Sequence, residues 1–225
     1  MEPAYISGAA GILGALLGTS IVWIKEVVIA GKKTKKDATY LAVIVGSHLE
    51  RYANTCLAIA YDDGYDEGQP AGGNGICNIV VKAPAIQPLD LEVEWRSIDA
   101  KLMYDILRIP DRQEQIHRLL RSGGYDDPPE HTDYFWERRL KFAELGIAVI
   151  EIVTRLRKEA KLPGVDQWNA DADLKKSLLE ALEKVAEERV EAAKRIAEYH
   201  ANNPGLANFL QGLNARGIPG AATGD

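Results

Sequence analysis

The sequence predicts a mainly α protein: an N-terminal transmembrane helix, a cytosolic helical domain with a small two-stranded β ribbon, and a long C-terminal helix. Three observations predict it. Pro3 to Ile24 carry no charged side chain. Apolar residues recur at the three-and-four spacing of an α-helix between residues 42 and 59 and again between 135 and 156. A polar, charge-balanced stretch runs from 169 to 203 without a breaker until Asn203-Pro204-Gly205. The implied divisions are an anchor (1–30), a basic juxtamembrane segment (31–36), a helical domain (37–165), a C-terminal arm (169–203) and a flexible tail (204–225).

The anchor follows from length and flanks. As a helix the 22 residues from Pro3 to Ile24 span about 33 Å, close to the roughly 30 Å of bilayer hydrocarbon. Tyr5 and Trp23 stand where interfacial aromatics belong, and the cluster Lys32, Lys33, Lys35, Lys36 follows the apolar stretch. Positive charge stays on the cytoplasmic side, so the N-terminus is expected outside the membrane and the body in the cytosol. Only Glu2 precedes the apolar stretch, which argues against a cleaved signal. Ala10, Gly14 and Gly18 lie four apart and form a candidate helix–helix interface, because small residues let two backbones approach closely in lipid. A Gly- and Ala-rich helix also suits burial in a soluble fold, so that alternative stays open.

Charge separates the two ends. Residues 1–36 hold five lysines against Glu2 and Glu26, a net +3, which leaves −9 on the other 189 residues of a chain whose total is −6. A body that acidic is a poor match for phosphate contacts, so no nucleic-acid partner is expected. Hydrophobic residues at 46% exclude wholesale disorder. Cys56 and Cys77 form no CxxC pair and read as reduced thiols, a single bridge being the alternative.

Asp37 or Thr39 is a candidate cap for a second helix, in which Ala42, Val45, Leu49, Tyr52, Cys56 and Ile59 make one face. Residues 62–75 are rich in Gly, Pro, Asn and Asp and predict a break. Their carboxylates (Asp62, Asp63, Asp66, Glu67) lack the EF-hand spacing and read as a solvated acidic turn. Ile79, Val80 and Val81 are β-branched, and Leu89, Leu91, Val93 and Trp95 alternate with polar residues, which places the ribbon there. Ser97 is a plausible cap for a helix ending before Pro110, and Pro110 then opens another that closes at Gly123-Gly124. Phe135, Phe142, Leu145, Val149, Ile152 and Leu156 define the strongest helix, Thr132 to Lys161, with Glu137, Arg138 and Arg139 read as its polar face. On the arm, Leu178, Leu182, Val185, Ala192 and Ile196 fit either a coiled coil or packing onto the body.

The stretches YLAVIVGSHLERYANTCLAIAYDDG, LEVEWRSIDAKLMYDILRIP and YFWERRLKFAELGIAVIEIVTRLRK resemble a family of uncharacterised bacterial proteins with an N-terminal hydrophobic helix, some associated with phages or mobile elements. The resemblance covers residues 40–162 and implies a bacterial source, hence an inner membrane. It carries no activity and no site residue.

No reaction signature occurs. HExxH, CxxC, GxSxG and phosphate-loop patterns are missing, and His48, His117, His131 and His200 lie far apart. The sequence therefore points to no catalytic residue, cofactor or metal. The leading expectation is a single-pass inner-membrane protein whose cytosolic helical domain binds itself or another protein, the latter through the C-terminal helix or tail. The alternatives are an oligomeric membrane-damaging effector of the phage-defence or toxin type, triggered through that domain, and a soluble enzyme or phage structural protein with a buried N-terminal helix.

Overall fold

A computed structural model describes residues 3–72, 75–124, 132–162 and 171–202, excluding the side chains of 3–24, 26, 27, 171–173 and 200. Five helices and one hairpin follow in order: α1 (Pro3–Ala60), β1 (Tyr65–Asp66), β2 (Gln69–Pro70), α2 (Ala100–Leu107), α3 (Ile109–Ser122), α4 (Thr132–Glu159) and α5 (Asp171–Asn202). The mainly helical expectation holds. The tail 204–225 and the linker 125–131 lie outside the described residues.

The first helix departs from expectation in length. It is one element of 58 residues, about 87 Å long, so the helix expected to start at Asp37 or Thr39 is not a separate one. Neither candidate cap interrupts it. The Thr39 hydroxyl donates back to the Lys35 carbonyl at 2.9 Å, a bond made inside a continuing helix. Among the described residues no helix is long and apolar enough to cross a membrane, and the side chains of residues 3–24 fall outside that statement.

The core forms where the periodic faces meet. Val45, Leu49, Cys56 and Ile59 of α1 are fully buried, as are Phe142, Val149 and Leu156 of α4. Each large apolar side chain so buried contributes roughly 1.5–3 kcal/mol. Leu102 and Ile106 of α2, with Ile109 of α3, close one side. Helix α4 runs antiparallel to α1, since Arg157 pairs with Glu50 while Arg139 reaches Ala60. Gly146 allows the close approach: a Cβ there would lie 3.0 Å from Cys56 and 3.0 Å from Leu178.

Helix α5 resolves the alternatives for the arm. It packs antiparallel on α4, with Lys175 beside Glu151 and Arg189 beside Glu137. Leu174, Leu178, Ala181 and Val185 are buried in that contact, whereas Ile196 farther along is 58% exposed. The arm is therefore part of the domain through Arg189.

The ribbon exists but in another place. Residues 79–81 and 89–95 do not pair; the only strands among the described residues are Tyr65–Asp66 and Gln69–Pro70, inside the stretch expected to be irregular. Glu67 (φ 47°) and Gly68 (φ 78°) supply the two left-handed residues of a tight hairpin turn. The β-branched run stays unpaired because the N–H groups of Val80 and Val81 donate to the Asp62 carboxylate. Pro88 starts a single 3-10 turn (Pro88–Asp90), and Trp95–Ser97 makes another. Capping shifts too: Asp99, not Ser97, caps α2 by accepting from the Lys101 and Leu102 N–H groups. Pro110 lies in the first turn of α3 as expected.

Candidate functional site

Two regions of α1 hold the features that bear on function. At its C-terminal end α1 is fastened by two adjacent arginines of α4. A helix ends with carbonyls that lack intrahelical partners, and Arg139 Nε donates to one of them, Ala60 O, at 3.0 Å. Arg139 Nη1 and Nη2 then grip Glu188 of α5 at 2.6 and 3.2 Å, a two-point guanidinium–carboxylate pair. The Trp136 indole N–H donates to the same carboxylate at 3.1 Å. Burial alone would raise the Glu188 carboxyl, but the hydrogen bonds and charge of Arg139, aided by Trp136 and Lys184, outweigh it and hold it below its ordinary range.

Arg138 points the other way, into the loop that follows α1. Its Nη1 lies 2.8 Å from Asp62 Oδ2, both side chains sealed from solvent, and Nη2 donates to the Val81 carbonyl. Asp62 also accepts from the Gly64, Val80 and Val81 N–H groups at 3.2, 3.2 and 2.9 Å. A buried charge pair survives only when its remaining lone pairs and protons are satisfied in this way. Gly64 is required beside it, since its φ is +85° and a Cβ would fall 2.5 Å from the Phe135 ring.

These residues correct two expectations. Asp62 is 5% exposed and is no part of a solvated acidic turn, although Asp63, Asp66 and Glu67 are exposed. Arg138 and Arg139, each 3% exposed, are not the polar face of α4. A signal for this was present: positions 138 and 139 fall three and four residues after Phe135 and before Phe142, on the buried stripe itself.

Beside the Arg139–Glu188 pair lies a cleft of about 270 Å³ whose walls include Tyr65, Trp136, Glu191 and Arg195. Its lining mixes both signs, with Asp63, Glu188 and Glu191 beside Arg139 and Arg195, and each Arg139 nitrogen already donates one hydrogen bond. Among the described residues no cluster of three or more His, Cys, Asp or Glu could hold a metal. Cys56 and Cys77 are both buried and unbridged. Burial pushes the Cys56 thiol up to about 12, which leaves it protonated and a poor nucleophile. Burial, with Cys56 nearby, likewise raises Tyr52, whose hydroxyl donates to Gln113 at 2.7 Å.

The second region is the bare stretch of α1 before the core begins. Lys32, Lys33, Lys35 and Lys36 are exposed there together with Lys25, Val28 and Ile29. The proposed interface residues Ala10, Gly14 and Gly18 belong to the same helix, but their side chains lie outside those described.

Compared with known proteins, the chain matches no protein family, no curated protein and no solved structure.

Proposed function

We propose that this chain is a single-pass inner-membrane protein of a bacterium, N-terminus outside, whose helical domain on the cytoplasmic side binds a second copy or another protein. The observation that carries this reading is the continuity of α1: the charge-free segment Pro3–Ile24 and the core positions Leu41–Ala60 belong to one helix. A rigid rod of that kind fixes the domain to whatever its apolar end occupies. The lysines between the two ends support the orientation, because they stop transfer and favour the cytoplasmic face. Arg138 and Arg139 bind the far end of the rod to α4, to α5 and to the loop at Val81, so a displacement of α1 reaches the whole domain.

Fractionation of expressing cells tests the reading. The chain should sediment with membranes, resist extraction by alkaline carbonate and dissolve in mild detergent. Recovery in the soluble fraction without detergent or partner refutes it and favours a fold that buries the N-terminal segment in protein.

A second reading draws on the small-residue spacing of Ala10, Gly14 and Gly18. An oligomer packed along that stripe would breach the bilayer when the domain receives a signal. Overexpression should then collapse the membrane potential, and Gly14→Leu with Gly18→Leu should relieve it. Harmless overexpression under every trigger counts against this effector reading and leaves the anchor reading intact.

A further inference from the structure

The exposed stretch of α1 has a direction as well as a charge. At about 100° per residue, Lys25, Lys32, Lys33, Lys35 and Lys36 fall within an arc of roughly 160°. Val28 and Ile29, 49% and 57% exposed, lie inside the same arc. Asp37, the nearest carboxylate in sequence among the described side chains, falls about 120° round from Lys25, outside it. None of the five lysines has an ion-pair partner among the described residues. Farther along, Tyr40 and Val43 continue this side, 57% and 52% exposed.

The domain lies on the opposite side of the rod. Leu41, Val45, Leu49, Tyr52 and Cys56, all buried, centre about 200° from Lys25 by the same geometry. Over residues 41–56 one flank of α1 is therefore covered by protein, and on the other flank, over residues 25–36, the helix presents lysines interleaved with exposed aliphatic side chains.

We propose that this flank is a docking face for an anionic bilayer surface, and that it turns the domain away from the membrane. The proposal rests on the anchor reading above. Three features select lipid as the occupant. Among the described residues the lysines have no ion-pair partner, whereas the body, at −9, repels acidic headgroups and would otherwise hold off the surface. Val28 and Ile29 offer apolar surface among the lysines, which headgroups and upper acyl carbons accommodate together. The face also begins at the end of the apolar segment, so lipid is what lies nearest. A spanning helix tilts by roughly 20° on average, and a one-sided basic flank sets the direction of that tilt. Lys25, Val28, Ile29 and Lys32 then approach the headgroups, with Lys36 beyond them.

The test uses the full chain reconstituted in vesicles of phosphatidylcholine alone or with about one part in three phosphatidylglycerol. Two reporters that each add one cysteine to the native pair, Ile29→Cys within the arc and Thr34→Cys on the opposite side, are labelled with a water-soluble maleimide, and the modified peptides are quantified by mass. The native thiols are buried and report on folding. Labelling at position 29 should slow about tenfold on the anionic vesicles relative to the neutral ones, while position 34 stays unchanged. About 0.5 M salt should restore the rate at position 29. Adding Lys32→Gln and Lys36→Gln to the position 29 reporter should remove most of the slowing. Equal rates in both lipids at both positions, or equal slowing at both positions, would overturn the proposal. Flotation scored in the same samples keeps the two readings apart. A chain that floats only with anionic vesicles and still slows at position 29 sinks the anchor reading but keeps the docking face. A chain that floats with neither overturns both.

Discussion

Residues 25–36 and residues 41–60 belong to the same helix but are stabilised by different means. In the later stretch the three-and-four spacing is filled by Leu41, Val45, Leu49, Tyr52, Cys56 and Ile59, all buried against α4 and its neighbours. In the earlier one Val28, Ile29 and the lysines stand exposed among the described residues. Tertiary burial maintains the first; continuation from a packed helix at one end maintains the second, since most helical stability in proteins comes from packing. Packing thus concentrates at one end of α1, and exposed charge at the other. Mutations should separate the two regions.

The largest effect should come from breaking the buried charge pair. Arg138→Met leaves Asp62 charged and unpaired, and chemical denaturation should show a loss of about 3–5 kcal/mol. Phe142→Ala, which empties the centre of α4, should cost a similar 3–5 kcal/mol. Next comes Gly146→Leu: the added side chain meets Cys56 and Leu178, and overpacking of this kind costs about 1–3 kcal/mol. A smaller effect is expected from acid. Because Glu188 has a lowered carboxyl pKa in the folded chain, its contribution is complete above its ordinary value of 4.5 and is lost as pH falls through the lower folded value. Glu188→Gln should therefore reduce stability at pH 7 and flatten the dependence below pH 4.5, read from thermal midpoints across pH. The smallest effect belongs to the bare stretch. Lys32→Gln or Ile29→Ala should change domain stability by no more than about 0.5 kcal/mol. A loss from either one equal to that of Gly146→Leu would dissolve the contrast.

The same contrast explains what the sequence made legible. Helical faces were readable because their period repeats over many residues: the apolar positions named on α1 and α4 are the ones that are buried. The hairpin was not, because two-residue strands at 65–66 and 69–70 carry no alternation and depend on the Glu67-Gly68 turn. The β-branched run at 79–81 misled for a physical reason: its N–H groups found a carboxylate, Asp62, in place of a neighbouring strand. Arg138 and Arg139 were hidden by the expectation that charge marks the wet side of a helix, although their spacing from Phe135 and Phe142 put them on the dry one. Their partners lie 76 and 49 positions away in sequence, and no local pattern announces such pairs. The unbroken α1 was missed because Asp37 and Thr39 resemble caps, while Gly31, the nearest breaker, has no structural demand placed on it.

Hydrophobic photolabelling of the chain in vesicles tests the membrane reading most directly. A reagent confined to the acyl chains should mark residues 3–24 and leave residues 41–60 of the same helix unmarked. Labelling absent from residues 3–24 while the folded chain sits on the vesicles would contradict the account.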